Sequence, residues 1–416
     1  MKVLILGLNY APETIGIGIY TAGMAEYLAE AGHSVRVIAA KPYYPQWKIM
    51  DGHSPFGWSR RNENDVRITR VPHYIPANPT TARRLLHHLS FALGSAVPAL
   101  WSGIVWRPDI VLTIAPSLIA APVARIAALC AGAKSWLHVQ DFEVEAAFAT
   151  GLMEAKGASA RLAHGFERTV LSLFDIVSTI SPPMCARLAD KGVPNCRIVE
   201  FRNWADIETI RPLTSPSAFR ARWDIATPHV ALYSGSIANK QGLEIIVKAA
   251  SLLKGRTDLT FVVCGEGPNK QRLEQQATGL RNIRFHDLQP RDDLHELLGL
   301  ATIHLLPQRP DTADLLFPSK LANMFASGRP VIATAAEGTA LAEEVDGRGL
   351  VTPPEDTAAF AAAISTLCDD RTVRDRLGAA ARRHAEQRLS RHAILRAWET
   401  EVVRILSPLV PERMPS

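Results

Sequence analysis

The chain has 416 residues, of which 47% are hydrophobic and 21% charged, and a formal net charge of +5. One core does not grow to that size, so two domains of roughly 200 residues are expected, in a folded chain rather than a disordered one. The charge excess is too small to call for a nucleic-acid partner; it favours solubility and a mild attraction to anionic surfaces. Five scattered cysteines without C-x-x-C spacing and an opening MKVLILGLNY that reads as a strand rather than a signal peptide point to a reducing, cytoplasmic compartment.

In the first half, strand-like runs at 3–8, 34–40, 109–114, 135–139, 176–180 and 197–201 alternate with helical patterns at 20–31, 118–131, 158–174 and 183–191. That alternation predicts an α/β, doubly wound parallel sheet with ligand sites at the carboxyl ends of its strands. The apolar stretch 85–106 contains His87, His88, Gly94 and Pro98, so it reads as a surface or partly buried helix rather than a spanning one. His87 and His88 are adjacent on that helix and are expected to point apart. Arg60, Arg61, Arg67, Arg70, Arg83 and Arg84 gather near Trp47, Phe56, Trp58 and the amphipathic run 85–93. Two readings stand for this region: contact with an anionic membrane, or a solvated basic face with core aromatics.

Residues 204–228 are rich in turn formers and read as a linker with one short helix. A second series then begins, with strands at 230–234, 260–264, 283–286, 303–306, 331–333 and 349–351 and helices at 243–253, 270–277, 292–300, 321–326 and 357–367. The expected organisation is a first domain over 1–205, completed by a C-terminal helix at 390–410, and a second over 206–389, two Rossmann-like domains facing across a cleft.

Five loops at strand ends carry the candidate chemistry. After the first strand, Gly16 and Gly18 precede a helix and let backbone approach a phosphate or sugar, but a tight G-x-G-x-x-G turn is missing, which argues against a dinucleotide enzyme. Asp141 and Glu143 follow the strand at 135–139, placed to orient hydroxyls or to shape charge; a helix-cap role for Asp141 is the alternative. In the second half, Gly235 and Ser236 open a turn that brings Lys240 to a helix start, and Gly265 and Glu266 form another glycine turn. Pro318, Ser319 and Lys320 lead into a helix closed by Gly328, so first-turn amides, dipole and ammonium converge on one anion-sized spot. His138 reads as a hydrogen-bonded core histidine, and His33, His286 and His304 show no metal-ligand spacing.

Five segments in order, NYAPETIGIGIYTAGMAEYLAEAGHSVRVIAAKPYYPQWK, HVQDFEVEA, FRNWADI, LYSGSIANKQGLE and PSKLANMFASGRPVIATAAEGTALAE, resemble glycosyltransferase family 4, and within it the enzymes of colanic acid biosynthesis. The resemblance spans essentially the whole chain. It implies a GT-B fold and transfer of a sugar, with retention and without a metal or other cofactor, from a nucleotide sugar to a polyprenyl-diphosphate-linked saccharide at the inner face of the cytoplasmic membrane. GDP-fucose is the favoured donor, with UDP-sugars open. Carried across, Gly16 and Gly18 lie near the donor diphosphate and acceptor, Lys240 holds the diphosphate, Gly265 and Glu266 lie on the nucleotide side, and Ser319 and Lys320 take the distal phosphate.

Two positions depart from the family pattern. Where many members have paired glutamates, this chain has Leu315 and Asn323; Asn323 can bond a ribose, and Asp311 or Asp314 is left to supply an acid. Ser236 stands where many relatives have an arginine, which shifts phosphate charge to Lys240 and Lys320. A nucleotide-sugar epimerase of the same architecture and a catalytically silent sugar-nucleotide-binding scaffold are the rival readings.

Overall fold

The computed structural model describes residues 1–13, 16–77, 80–145, 157–238, 241–309, 318 and 320–406. The chain divides into two compact units, Met1–Arg202 with Leu395–Ser416, and Asn203–Ile394.

The first unit is built on β1 (Lys2–Gly7), β2 (Ser34–Ala40), β3 (Ser59–Glu63), β4 (Val66–Val71), β5 (Ile110–Ala115), β6 (Lys134–Val139), β7 (Ile176–Thr179) and β8 (Ile198–Glu200). Their order is β3-β4-β2-β1-β5-β6-β7-β8, parallel throughout except for β3 against β4. Helices α1 (Ile17–Glu30), α2 (Thr81–Trp101), α3 (Ala121–Ala131), α4 (Ala158–Leu173) and α5 (Pro182–Asp190) connect them, and α2 continues in a wider helical turn, Ser102–Trp106. Central β5 reads Ile-Val-Leu-Thr-Ile-Ala and is buried at every position, because a parallel strand covered on both faces needs an unbroken apolar run rather than alternation. The β3–β4 hairpin is absent from the sequence-based element list. Its turn is Asn64-Asp65, both at positive φ (50° and 59°), the geometry two-residue hairpins demand. Edge strand β3, Ser-Arg-Arg-Asn-Glu, carries no apolar residue and so no hydrophobic period.

The second unit holds β9 (His229–Ser234), β10 (Leu259–Cys264), β11 (Ile283–His286), β12 (Ile303–Leu306), β13 (Val331–Thr334) and β14 (Gly349–Thr352), ordered β11-β10-β9-β12-β13-β14 and wholly parallel. Its helices are α6 (Phe219–Arg222), α7 (Glu244–Leu252), α8 (Lys270–Gln276), α9 (Leu294–Leu300), α10 (Lys320–Ala326), α11 (Ala340–Val345), α12 (Thr357–Asp369) and α13 (Arg371–Arg388). The Asp356 and Asp370 carboxylates accept from the amides of Ala359 and Val373, which starts α12 and α13 where the sequence offers caps. The segment read as a linker is packed instead: the Ala205 amide bonds the Leu389 carbonyl at 2.7 Å, Ile210 is buried, and Arg382 Nη1 donates to the Ile210 carbonyl at 2.7 Å.

Helix α14 (Arg391–Leu406) ends the described chain. In the first unit its Trp398 ring stacks on Phe201 at 5.4 Å and lies 5.5 Å from Trp136, while Glu399 meets His33 at 2.6 Å. Both sheets are Rossmann-like. Winding reverses between β1 and β5 in one and between β9 and β12 in the other, and ligands of such sheets bind beyond the strand ends at the reversal.

Candidate functional site

In the second unit the expected residues gather at the carboxyl end of β9, beside the reversal. The turn after β9 and the turn after β10 are laced by backbone: Gly235 N–H donates to the Cys264 carbonyl at 2.9 Å, and Ile237 N–H to the Glu266 carbonyl at 2.8 Å. No side chain fits between them. A Cβ on Gly265 would stand 1.8 Å from the Gly235 oxygen, and one on Gly267 2.2 Å from the Ile237 oxygen.

Lys320, the first residue of α10, reaches onto this turn. Its ammonium lies 3.5 Å from the Ser234 carbonyl oxygen and 3.9 Å from the centre of the Tyr233 ring, and a Cβ on Gly235 would be only 3.1 Å from Nζ. The ring holds the cation by its π face. Tyr233 is fully buried, burial pushes its hydroxyl pKa up, and the neutral O–H donates to the Ser236 carbonyl at 2.6 Å. One turn further along α10, Asn323 presents a buried Oδ1 that has no partner among the described residues. The first-turn amide of Leu321 is already bonded to the Pro318 carbonyl at 3.0 Å, so the cradle relies less on helix amides than the sequence implied. Gly328 ends the segment at φ 70°. Ser236 is exposed, and exposed Glu266 pairs with Lys270 at 3.1 Å. Lys240 and Ser319, with Asp311, Asp314 and Leu315, lie outside the described residues.

In the first unit the loop after β1 is organised by two buried charges. Glu13 accepts from the amides of Tyr43 (2.9 Å) and Tyr44 (3.0 Å) and from Asn9 Nδ2 (2.8 Å). Burial raises its pKa against those hydrogen bonds. Gly16 stands at φ 66° immediately before α1, and Gly18 packs in the first turn, where a Cβ would be 3.3 Å from Glu13. Arg70 clamps the same loop, donating to the carbonyls of Ala40 (3.1 Å) and Ala11.

Beyond β5 and β6, the Glu143 carboxylate accepts from the amides of Ser117 and Leu118, the latter at 2.7 Å, at the start of the turn leading into α3. Burial pushes its pKa up to about 7, opposed by those two amides. Asp141 is half-buried directly after β6. The sequence placed both acids as catalytic; the structure gives Glu143 a defined partner pair.

Three expectations for the basic region change. Arg70 is buried rather than a surface cation. Trp47 is half-buried, in edge contact with Tyr43 at 5.4 Å, while Phe56 and Trp58 are exposed. The His87 and His88 rings do not diverge: they meet edge to face at 5.3 Å, with His73 5.0 Å from His87, because the helix seats both against one aromatic cluster. Burial pushes the imidazoles down, His73 to about 3 and His87 and His88 to about 4, so they add no charge near neutrality. His138 is buried and bonded to Ser178 Oγ at 2.9 Å. Among the described residues no group of three His, Cys, Asp or Glu side chains is arranged to hold a metal.

Residues 16–204 match the family described as glycosyl transferase 4-like domain, and residues 228–370 that described as glycosyl transferases group 1. Over 412 residues, 97% of this chain and all of the relative, the sequence is 38% identical to WcaI of Escherichia coli (strain K12), a protein assigned to colanic acid biosynthesis as a glycosyl transferase. The chain belongs to glycosyltransferase family 4. Solved structures of low identity share the fold. A sucrose-phosphate synthase from Thermosynechococcus elongatus superposes with a TM-score of 0.73 at 17% identity, covering 97% of this chain and 98% of that one. HepE of Anabaena, solved with UDP and glucose, gives 0.67 at 16%, covering 97% and 100%. The fold is therefore GT-B, and this family 4 member is a glycosyltransferase. Sequence reasoning missed Tyr233 as the floor under Lys320 and Glu13 as the clasp of the first loop; neither residue type carries a local signal, since only the fold brings them to their partners.

Proposed function

We propose that the protein transfers a sugar from a nucleotide sugar to a lipid-linked saccharide in exopolysaccharide or related cell-surface glycan synthesis, with retention at the anomeric carbon and without a required metal. The observation that carries the donor side is the Lys320 ammonium seated over Tyr233 at the glycine-packed turn. A diphosphate needs a cation and a backbone that lets it approach, and both occur at the sheet position where such ligands bind. The likeness to WcaI supports a role in such a pathway. GDP-fucose is the donor we favour, on the family resemblance alone, and HepE's complex with UDP keeps a UDP-sugar as the competing donor.

In this reading Lys320, Lys240 and the peptide groups near Gly235, Ser236, Gly265, Pro318 and Ser319 stabilise the nucleoside diphosphate as it departs with the bonding electron pair. Asn323 accepts from a ribose hydroxyl through its Oδ1, which has no partner among the described residues, with Glu266 on the nucleotide side. The acceptor hydroxyl attacks from the face the diphosphate leaves, and its proton passes to a donor phosphate oxygen. Gly16, Gly18, Asp141 and Glu143 shape the acceptor side. The acceptor is a polyprenyl-diphosphate-linked saccharide, and the protein works in the cytoplasm, peripheral to the inner face of the membrane.

Thermal unfolding with GDP, UDP, dTDP and their sugar conjugates, in chelator and without added metal, tests this. A rise with one nucleotide class fixes the donor. Absence of any rise, together with absence of donor turnover, favours the scaffold reading.

A further inference from the structure

Helix α2 and its continuation to Trp106 are built inside out. Toward the protein they turn His87, Phe91, Ser95, Ala99, Ser102 and Gly103, all buried. To solvent they turn Leu86, Leu89, Leu93, Val97, Trp101 and Ile104, each between 45% and 67% exposed. Scattered apolar residues on a surface need no explanation, but a continuous stripe along one helix does. Ile126 and Leu129 of α3 add to the exposed apolar surface.

The helix has no freedom to roll this face inward. A Cβ on Gly94 would stand 2.5 Å from the Pro72 carbonyl oxygen and one on Gly103 2.5 Å from that of Ala127, so backbone lies on backbone at both points. His87 adds two fixed bonds, Nδ1 to the Tyr74 carbonyl at 2.6 Å and Nε2 to the Tyr43 hydroxyl at 3.0 Å. The stretch Thr81–Trp106 is long and apolar enough to cross a membrane. These attachments hold it to the sheet instead, with one face outward.

Charge indicates what covers that face. Between Asp65 and Asp109 the sequence has no acidic residue but has Arg67, Arg70, Arg83, Arg84 and Arg107, and none of α2 or α3 carries a carboxylate. Asp109 itself is engaged by the Lys2 amide at 2.6 Å. Arg83 and Arg84 occupy the first turn of α2, where the helix dipole disfavours cations, with the Arg84 guanidinium 5.5 Å over the Trp47 ring. Exposed Trp101 stands at the other end, the residue type that suits a lipid–water boundary, while Trp106 packs against the core with Arg36 over its ring. A second copy packed on this face would meet no carboxylate from α2 or α3 to pair with these arginines.

We propose that α2 lies in the plane of an anionic lipid bilayer, with its leucine stripe among the acyl chains and Arg83 and Arg84 at the lipid phosphates. This names the surface on which the lipid-linked acceptor is met, and it rests on the preceding functional reading only for why a membrane is needed. The test is flotation of the purified full chain with vesicles of phosphatidylcholine alone or mixed with phosphatidylglycerol. The wild type should float with the anionic vesicles, less so as salt is raised. Leu89→Asp with Leu93→Asp should lower vesicle binding by at least about tenfold, because buried leucine area drives insertion. Arg83→Ser with Arg84→Ser should remove the preference for anionic lipid. Unchanged thermal unfolding and an unchanged nucleotide-induced shift in the variants show that the fold and donor site persist. Wild-type flotation in the leucine variant overturns the proposal, as does indifference to anionic lipid or a wild-type dimer that the leucine variant dissociates. If flotation depends on the leucines while no nucleotide stabilises any of the proteins, the donor reading falls and the docking surface stands.

Discussion

The loop after β1 and the turn after β9 occupy equivalent places in two similarly wound sheets, yet they are held in opposite ways. After β1, buried side chains do the holding: Glu13 collects three N–H donors and Arg70 clamps the carbonyls of Ala11 and Ala40. After β9, backbone is laid directly on backbone through Gly235, Gly265 and Gly267, and the charged group, Lys320, arrives from outside the turn. A loop fastened by side chains can be long and shaped by hydroxyl-bearing partners. A turn fastened by glycine has no side chains to hold a ligand off its backbone and stands beside a cation, which suits a diphosphate. The difference is why we propose the nucleotide site in the second unit.

Substitutions that add or remove these fastenings break the comparison directly. Gly265→Ala forces a Cβ into the Gly235 carbonyl and should cost about 3 kcal/mol or more, read as a fall in the unfolding midpoint with loss of any nucleotide shift. Gly16→Ala meets open space at positive φ and should cost only about 1 kcal/mol. Equal losses would show that the two loops are not built differently. Arg70→Ala strands the Ala40 and Ala11 carbonyls and removes buried packing, for an expected loss of about 2–4 kcal/mol in chemical denaturation.

Lys320→Ala should weaken donor binding by about ten- to a hundredfold, the scale of a charge-assisted contact, while ligand-free stability stays close to wild type. Calorimetric titration with the donor nucleotide checks it, and wild-type affinity would remove Lys320 from the site.

A further test is a pH dependence. Glu143 has a folded pKa of about 7, above its unfolded value, so the folded state holds the proton longer and stability falls as pH rises from the ordinary carboxylate range to about 7, then levels. Glu143→Gln should remove a decline of order 1–3 kcal/mol over that interval. Parallel melting curves for the two proteins across it would show instead that the carboxyl titrates normally.

Strand and helix placement was legible in the second half because parallel strands such as β9, β10 and β12 are short apolar runs separated by amphipathic helices. The candidate anion site was legible at Lys320 and the glycine turns, where residue type itself restricts backbone. Unread were the β3–β4 hairpin, whose edge strand has no hydrophobic period, and Tyr233, which looks like any apolar strand residue until Lys320 is set over it.

The sequence alone therefore determined the period of each buried element, the positions where only glycine fits and the family to which the motifs belong, since these depend on neighbours along the chain. Tertiary structure decided which charges are buried, which helix face meets water and what each charged group touches. Arg70 and Arg83 are alike as letters; one ends inside against carbonyls and the other on the rim of an exposed leucine stripe, because contacts between residues far apart in the chain set the cost of burying a charge.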